Sequence, residues 1–206
     1  MKNRDFKFDI LGIKYLSVIR IALELIKERH NKDIDIYSLA LDDPGVFEMI
    51  RQGKTVGVFQ MSSEGMMEVF KGLDKVDFEA LSAGIALYRP GPMAYIEEYQ
   101  DRANGLKQVS YPHPDLEEIL SESYGIAIYQ EMIMQLSQVL GGYSQGESDS
   151  LRKSMGKKSQ EVMDRVLPEL HERIIENGYD ESIADYAIET IEPFVGYGLT
   201  PLHTPI

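Results

Sequence analysis

Apolar positions recur at helical spacing along most of this chain. Leu16, Ile19, Leu23 and Ile26 fall three and four residues apart, with Val18, Ala22 and Leu25 widening the stripe. That period predicts an amphipathic helix over 14–29. Before it, Phe6, Phe8 and Ile10 alternate with Lys7, Asp9 and Leu11, and Gly12 follows. Period two predicts a short strand with Lys7 and Asp9 on one face.

Punctuating residues divide the rest. Asp43-Pro44 reads as an N-cap with proline at the first helical position, opening a helix that stops at Gly53. Thr55–Gln60 reads as a strand, and a helix follows from about Ser63 to Lys71, closed by Gly72. Asp77 caps a helix through Leu87, which Pro90-Gly91-Pro92 ends because proline lacks a donor and clashes with the preceding turn. Residues 104–114 read as a loop, Gly125–Tyr129 as a short strand, and 130–140 as a helix ended by Gly141-Gly142. Ser144 and Glu147 have capping-box spacing for a helix carrying Arg152 and Lys153. A long helix then runs to Asn177, with Pro168 marking a kink, and Asp180 caps a last helix ending near Pro193. The predicted class is mainly α with a few short strands.

Composition narrows the classes. A chain of 206 residues, 43% hydrophobic, buries a core without staples. It has no cysteine, which excludes disulfides and thiolate metal sites. No run of about 18 apolar residues is present, and Met1–Asp5 is charged with no signal-peptide core behind it. A cytoplasmic protein without a membrane partner is the expectation. The net charge of −13 argues against a broad grip on phosphate backbones. Nucleotide or nucleic-acid contact must come from local basic clusters.

The densest such cluster is Leu151-Arg152-Lys153-Ser154-Met155-Gly156-Lys157-Lys158, where Lys153 and Lys157 share a helix face. Taken alone it reads as a solvated face. Gly156-Lys157-Lys158-Ser159 is not a phosphate loop, because the position needing glycine is Leu151. His30, His113, His171 and His203 have no metal-ligand spacing, and Asp33-Ile34-Asp35 reads as a turn.

Three blocks in fixed order resemble the bacterial DNA polymerase III alpha subunit family, the C-family replicative polymerases. They are Lys7-Phe8-Asp9-Ile10-Leu11-Gly12, Tyr88-Arg89-Pro90-Gly91-Pro92-Met93, and the basic cluster. Val56–Gln60 and Tyr124–Glu131 match further blocks of the same family. The resemblance implies the end of a palm domain over 1–12, a fingers domain over 13–198, and a divergent tail over 199–206. It makes Asp9 a catalytic ligand of Mg²⁺ and places Lys7 near the nucleotide phosphates. Arg152 and Lys153 would contact the incoming triphosphate, although the family has a second arginine where Lys153 stands. Arg89 and Tyr88 would lie near the nascent base pair, Lys157 would add charge, and His203 falls at the position of a family histidine.

The implied parent reaction is template-directed nucleotidyl transfer. Its implied partners are deoxynucleoside triphosphate, primer–template DNA and the other polymerase domains or subunits. Two-metal transfer needs several carboxylates, and the family's paired aspartates upstream of Asp9 have no match in this sequence. The expectation is therefore a polymerase portion inactive alone. The alternative is a non-catalytic helical interaction module, a truncated remnant of the polymerase.

Overall fold

The computed structural model describes residues 12–156 and 160–195. The expected strand with Lys7 and Asp9, Lys157, and the tail with His203 lie outside the described residues. The chain forms two compact units, dividing between Leu41 and Asp42.

In the first unit, helix α1 spans Lys14–His30, one residue beyond its apolar period. Asn31 ends it in the left-handed conformation (φ 50°), its N–H donating to the Lys27 carbonyl at 3.0 Å. Lys27, Arg29 and His30 crowd its last turn, where cations complement the helix dipole. Asp33 pairs with Lys27 at 2.6 Å, and Asp35 caps a 3-10 turn over Ile36–Ser38 by accepting from Tyr37 N–H at 3.0 Å. Both carboxylates serve the chain turn, as their spacing suggests.

The second unit is helical throughout its described residues apart from its connections. Helix α2 (Pro44–Arg51) starts as predicted: the Asp43 carboxylate accepts from Gly45 N–H at 2.8 Å, and Pro44 occupies the first turn. Helix α3 (Glu64–Lys71) is capped by Ser63, and α4 (Phe78–Leu87) by Asp77, which accepts from Ala80 N–H at 3.0 Å. Beyond a 3-10 turn at Pro92–Tyr95 comes α5 (Ile96–Ala103), a helix that periodicity does not predict. Among its residues only Tyr99 is fully buried, so its apolar signal is thin. The short α6 (Glu117–Leu120) precedes α7 (Gln130–Val139) and α8 (Gln145–Gly156). Helix α9 (Gln160–Glu176) continues past Pro168, and α10 (Glu181–Ile191) ends in a 3-10 turn at Glu192–Phe194. Asp180 stands at the N-cap of α10 but its side chain makes no cap hydrogen bond.

Both expected short strands are corrected. Residues 55–60 form successive turns. The Ser62 hydroxyl accepts from Gly57 N–H at 3.1 Å and donates to the Val58 carbonyl at 2.7 Å, while the Thr55 hydroxyl donates to the Met61 carbonyl at 2.6 Å. These side chains satisfy backbone groups that a strand would have offered to a neighbour. Val56 is left 86% exposed. Gly125 lies in a turn (φ 86°), residues 126–128 form no regular element, and pairing is confined to a single bridge at Tyr129. Ile126, Ala127, Ile128 and Tyr129 are all buried, so this irregular run passes through the core.

Fully buried Phe70, Leu87, Leu116, Leu120, Ile128, Ile133, Leu136 and Leu140 lie in one apolar core. Each such side chain stabilises the fold by roughly 1.5–3 kcal/mol relative to exposure. Helix α7 packs on α8, and α9 on α10. Across the first pair the buried hydroxyls of Ser137 and Ser148 meet at 3.1 Å, which satisfies polar groups that would otherwise be costly to bury.

Candidate functional site

The start of α8 is locked from three directions. Ser144 N–H donates to Glu147 Oε2 at 2.7 Å, and the Glu147 N–H returns to the Ser144 hydroxyl at 3.4 Å, completing the predicted capping box. Arg173 on α9 donates to Glu147 Oε1 at 2.9 Å and to the Gly142 carbonyl at 3.2 Å. Its guanidinium lies 4.3 Å from the centroid of the Tyr143 ring, within cation–π range. Arg173, with the Ser144 backbone N–H behind it, holds the Glu147 carboxyl down at about 2.

From that anchored start, α8 directs Ser148, Leu151 and Met155 into the core. Arg152 stands half-buried and Lys153 exposed. Asp149 on the same helix holds both. Its Oδ1 accepts from Arg152 Nε at 3.0 Å and from a terminal guanidinium nitrogen at 2.7 Å. Its Oδ2 lies against the Lys153 ammonium. Lys153 and then Arg152 push the Asp149 carboxyl below the usual carboxylate range. The structure thus brings Arg152 and Lys153 together through a carboxylate that was not singled out from sequence. Its three- and four-residue spacing to them is the signal that was available.

A groove of about 400 Å³ runs between α8 and α9, lined by Tyr143, Ser150, Ser154, Arg165 and Glu169 among others. Neither Arg152 nor Lys153 lines it.

The Tyr88–Pro92 turn is fixed by backbone. Tyr88 N–H closes α4 on the Gly84 carbonyl at 3.0 Å, and Met93 N–H reaches the Arg89 carbonyl at 3.1 Å. The Tyr88 ring lies over Gly65 of α3, where any Cβ would collide with it. It lines a groove of about 530 Å³ with Gly72, Met93, Ile96 and Gln100. Arg89 differs from its peers. Arg51, Arg102, Arg152 and Arg173 are also half-buried, and each pairs with a carboxylate. Arg89 has no ion pair or side-chain hydrogen bond with any described residue.

The Tyr124–Glu131 block serves the core and a helix entry. Tyr124 is left-handed (φ 55°), its carbonyl accepts from Arg102 at 2.7 Å, and its ring meets Tyr99 edge-on at 5.4 Å. Arg102 in turn pairs with Glu98 at 2.6 Å, a carboxylate shared with Lys107 at 3.0 Å.

Among the described residues, no three His, Cys, Asp or Glu side chains gather where a metal ion could be held. Nor is any helix among them long and apolar enough to cross a membrane.

Comparison with known proteins gives a consistent result. The model of the bacterial DNA polymerase III alpha subunit finger domain matches residues 15–178. DNA polymerase III subunit alpha of Aquifex aeolicus is 42% identical over 200 residues, which is 96% of this chain and 17% of that protein. The Campylobacter jejuni protein of the same name is 41% identical over 200 residues, and that of Borreliella burgdorferi 40% over 197, each with the same coverage. The chain therefore spans about one sixth of the length of these relatives.

Proposed function

This chain belongs to the bacterial DNA polymerase III alpha subunit finger domain family, and from that premise we propose that it binds the triphosphate of an incoming deoxynucleotide during DNA replication. The observation that carries the reading is the juxtaposition of Arg152 and Lys153 on α8, a helix clamped at its start by Arg173 and Glu147. In nucleotidyl transfer the bond between the α- and β-phosphates breaks as the primer oxygen bonds to the α-phosphorus, negative charge gathers on the leaving pyrophosphate, and fixed cations stabilise that charge most when they need no reorganisation. Arg152 offers a planar fork for phosphate oxygens, and Lys153 a mobile point charge. Arg89 adds a cation without an ion-pair or side-chain hydrogen-bond partner among the described residues, on a turn held rigid by proline. Tyr88, packed on α3, supports that turn.

In this reading Mg²⁺ supplies charge neutralisation at the phosphates, with Asp9 as its ligand and Lys7 beside it. Asp9 lies outside the described residues, and one carboxylate does not make a two-metal site, so no step is derived through the ion. Lys157 and His203 keep the supporting roles that the resemblance implies. Primer–template DNA and the remaining polymerase domains are the partners, in a cytoplasmic replication assembly. In this reading the 206-residue chain does not polymerise alone, because two-metal transfer needs several carboxylates and Asp9 is the one that the resemblance assigns.

The test is titration of the 206-residue chain with a deoxynucleoside triphosphate, for the native protein and for Arg152→Ala. Loss of binding in the variant with unchanged helicity is expected. Equal binding by both removes Arg152 from the site, and no binding by either removes the nucleotide reading and leaves the non-catalytic interaction module. Incorporation of nucleotide into primed DNA by this chain alone contradicts the inactivity.

A further inference from the structure

The helix assigned to the triphosphate carries its own anion. Asp149 occupies two donors of the Arg152 guanidinium through one oxygen and the Lys153 ammonium through the other. Two positive charges and one negative are thus gathered within two turns of α8. Arg152 and Asp149 side chains are each 35% exposed and Lys153 60%, so the cluster is open to a ligand from solvent. A guanidinium has five N–H donors and an ammonium three. Most of their donors therefore remain available, while their summed charge is halved.

We propose that Asp149 is an internal counter-anion that holds Arg152 and Lys153 in place of a phosphate and competes with the phosphoryl oxygens of the incoming nucleotide. The inference rests on the nucleotide reading above and goes one step further, to what sets the strength of that binding. Its physical basis is competition between like ligands. A carboxylate and a phosphate oxygen seek the same N–H donors, and both form charge-assisted hydrogen bonds with them. The carboxylate has the advantage of being intramolecular. Asp149 remains ionised because Lys153 and Arg152 stabilise its charge, so the competition persists at neutral pH. Close to solvent such pairs are worth little individually, which makes the carboxylate displaceable. Its effect is to keep the cations ordered when no nucleotide is present and to limit how tightly any triphosphate is retained. A helix with both cations free would hold nucleotide and product polyphosphate alike more tightly.

The experiment is a titration of the 206-residue chain with inorganic tripolyphosphate at low and moderate salt. It compares the native protein, Asp149→Asn, Arg152→Ala and the Asp149→Asn/Arg152→Ala double variant. Circular dichroism reports whether α8 remains helical. Asp149→Asn is expected to bind about threefold to tenfold more tightly, with a steeper loss of affinity as salt rises. A gain of this kind does not follow from misfolding. The double variant is expected to lose the gain. Equal or weaker binding by Asp149→Asn overturns the proposal. If Arg152→Ala also weakens binding in that case, the nucleotide reading stands without it. Unchanged binding in Arg152→Ala moves the site away from this cluster and overturns the proposal, and no binding by any of the four proteins removes the nucleotide reading as well.

Discussion

Gly91 lies directly against Pro193: a Cβ built on this glycine would sit 2.6 Å from the Pro193 carbonyl oxygen. The turn after α4 thus rests on the turn after α10, more than a hundred residues later. The obstacle is backbone, which cannot swing away as a side-chain tip can. Gly91 also has φ +98°, a conformation closed to residues with a Cβ. Gly91→Ala is expected to cost about 2–4 kcal/mol, combining backbone strain with overpacking. Gly105 provides the control: its φ is +72° but no atom lies within 4 Å of an added Cβ. Gly105→Ala is expected to show strain alone, about 1–2 kcal/mol. Urea unfolding of both variants measures the difference, and equal losses contradict the Gly91–Pro193 contact.

That contact marks the limit of what the sequence conveys. Pro-Gly-Pro plainly ends a helix, but no local pattern says which distant backbone will meet its glycine. The helix starts were legible, because Asp43, Ser63, Asp77 and Ser144 each carry an oxygen that answers a nearby N–H. The two expected strands failed for opposite reasons. At 55–60 local hydroxyl bonds from Thr55 and Ser62 displaced the strand option. At 125–129 the residues are buried as a strand would be, yet paired only at Tyr129. Helix α5 escaped because its apolar face is narrow. In the candidate site the cations were legible and their counter-ion was overlooked. An aspartate three residues before an arginine becomes informative once the helix is known to present both.

The acid limb of stability should report on Glu147. Its carboxyl is held at about 2 in the folded chain, against about 4.5 when unpaired. The unfolded chain therefore takes up this proton at the higher pH. The contribution is fully present above about pH 4.5 and disappears as pH falls toward 2. Glu147→Gln removes it at every pH. The stability gap between native protein and variant should be constant from pH 7 to 5 and narrow below 4.5. Urea unfolding at pH 7, 4 and 3 measures this. A gap that persists undiminished at pH 3 rules out the Arg173–Glu147 pair as its source.

Asn104 joins segments about thirty residues apart. Its side chain donates to the Gly72 carbonyl at 2.7 Å and accepts from Asp74 N–H at 2.9 Å, tying the end of α5 to the end of α3. Asn104→Ala breaks both bonds and is expected to cost about 1–2 kcal/mol. Asn104→Asp keeps the acceptor and loses the donor, so a smaller cost is expected. Thermal unfolding ranks the three proteins. Greater damage from aspartate than from alanine contradicts this two-bond account.

Arg89 separates a structural role from a binding one. It is half-buried and has no ion pair or side-chain hydrogen bond among the described residues. A cation held only by its backbone contributes little to folding through charge. Arg89→Ala should therefore change stability by no more than about 0.5 kcal/mol, the usual range away from specific contacts. If the charge serves a nucleotide, losing a charge-assisted hydrogen bond costs about 1.5–3 kcal/mol of binding. That corresponds to roughly a tenfold or greater loss of affinity. Arg89→Lys keeps the charge and loses the fork, so an intermediate affinity is expected. Calorimetric titration with a deoxynucleoside triphosphate, paired with urea unfolding, reads both quantities on the same samples. Unchanged affinity in Arg89→Ala removes Arg89 from the site. A stability loss above about 1 kcal/mol means that it supports the turn instead, because half-buried cations without a role there are otherwise tolerated.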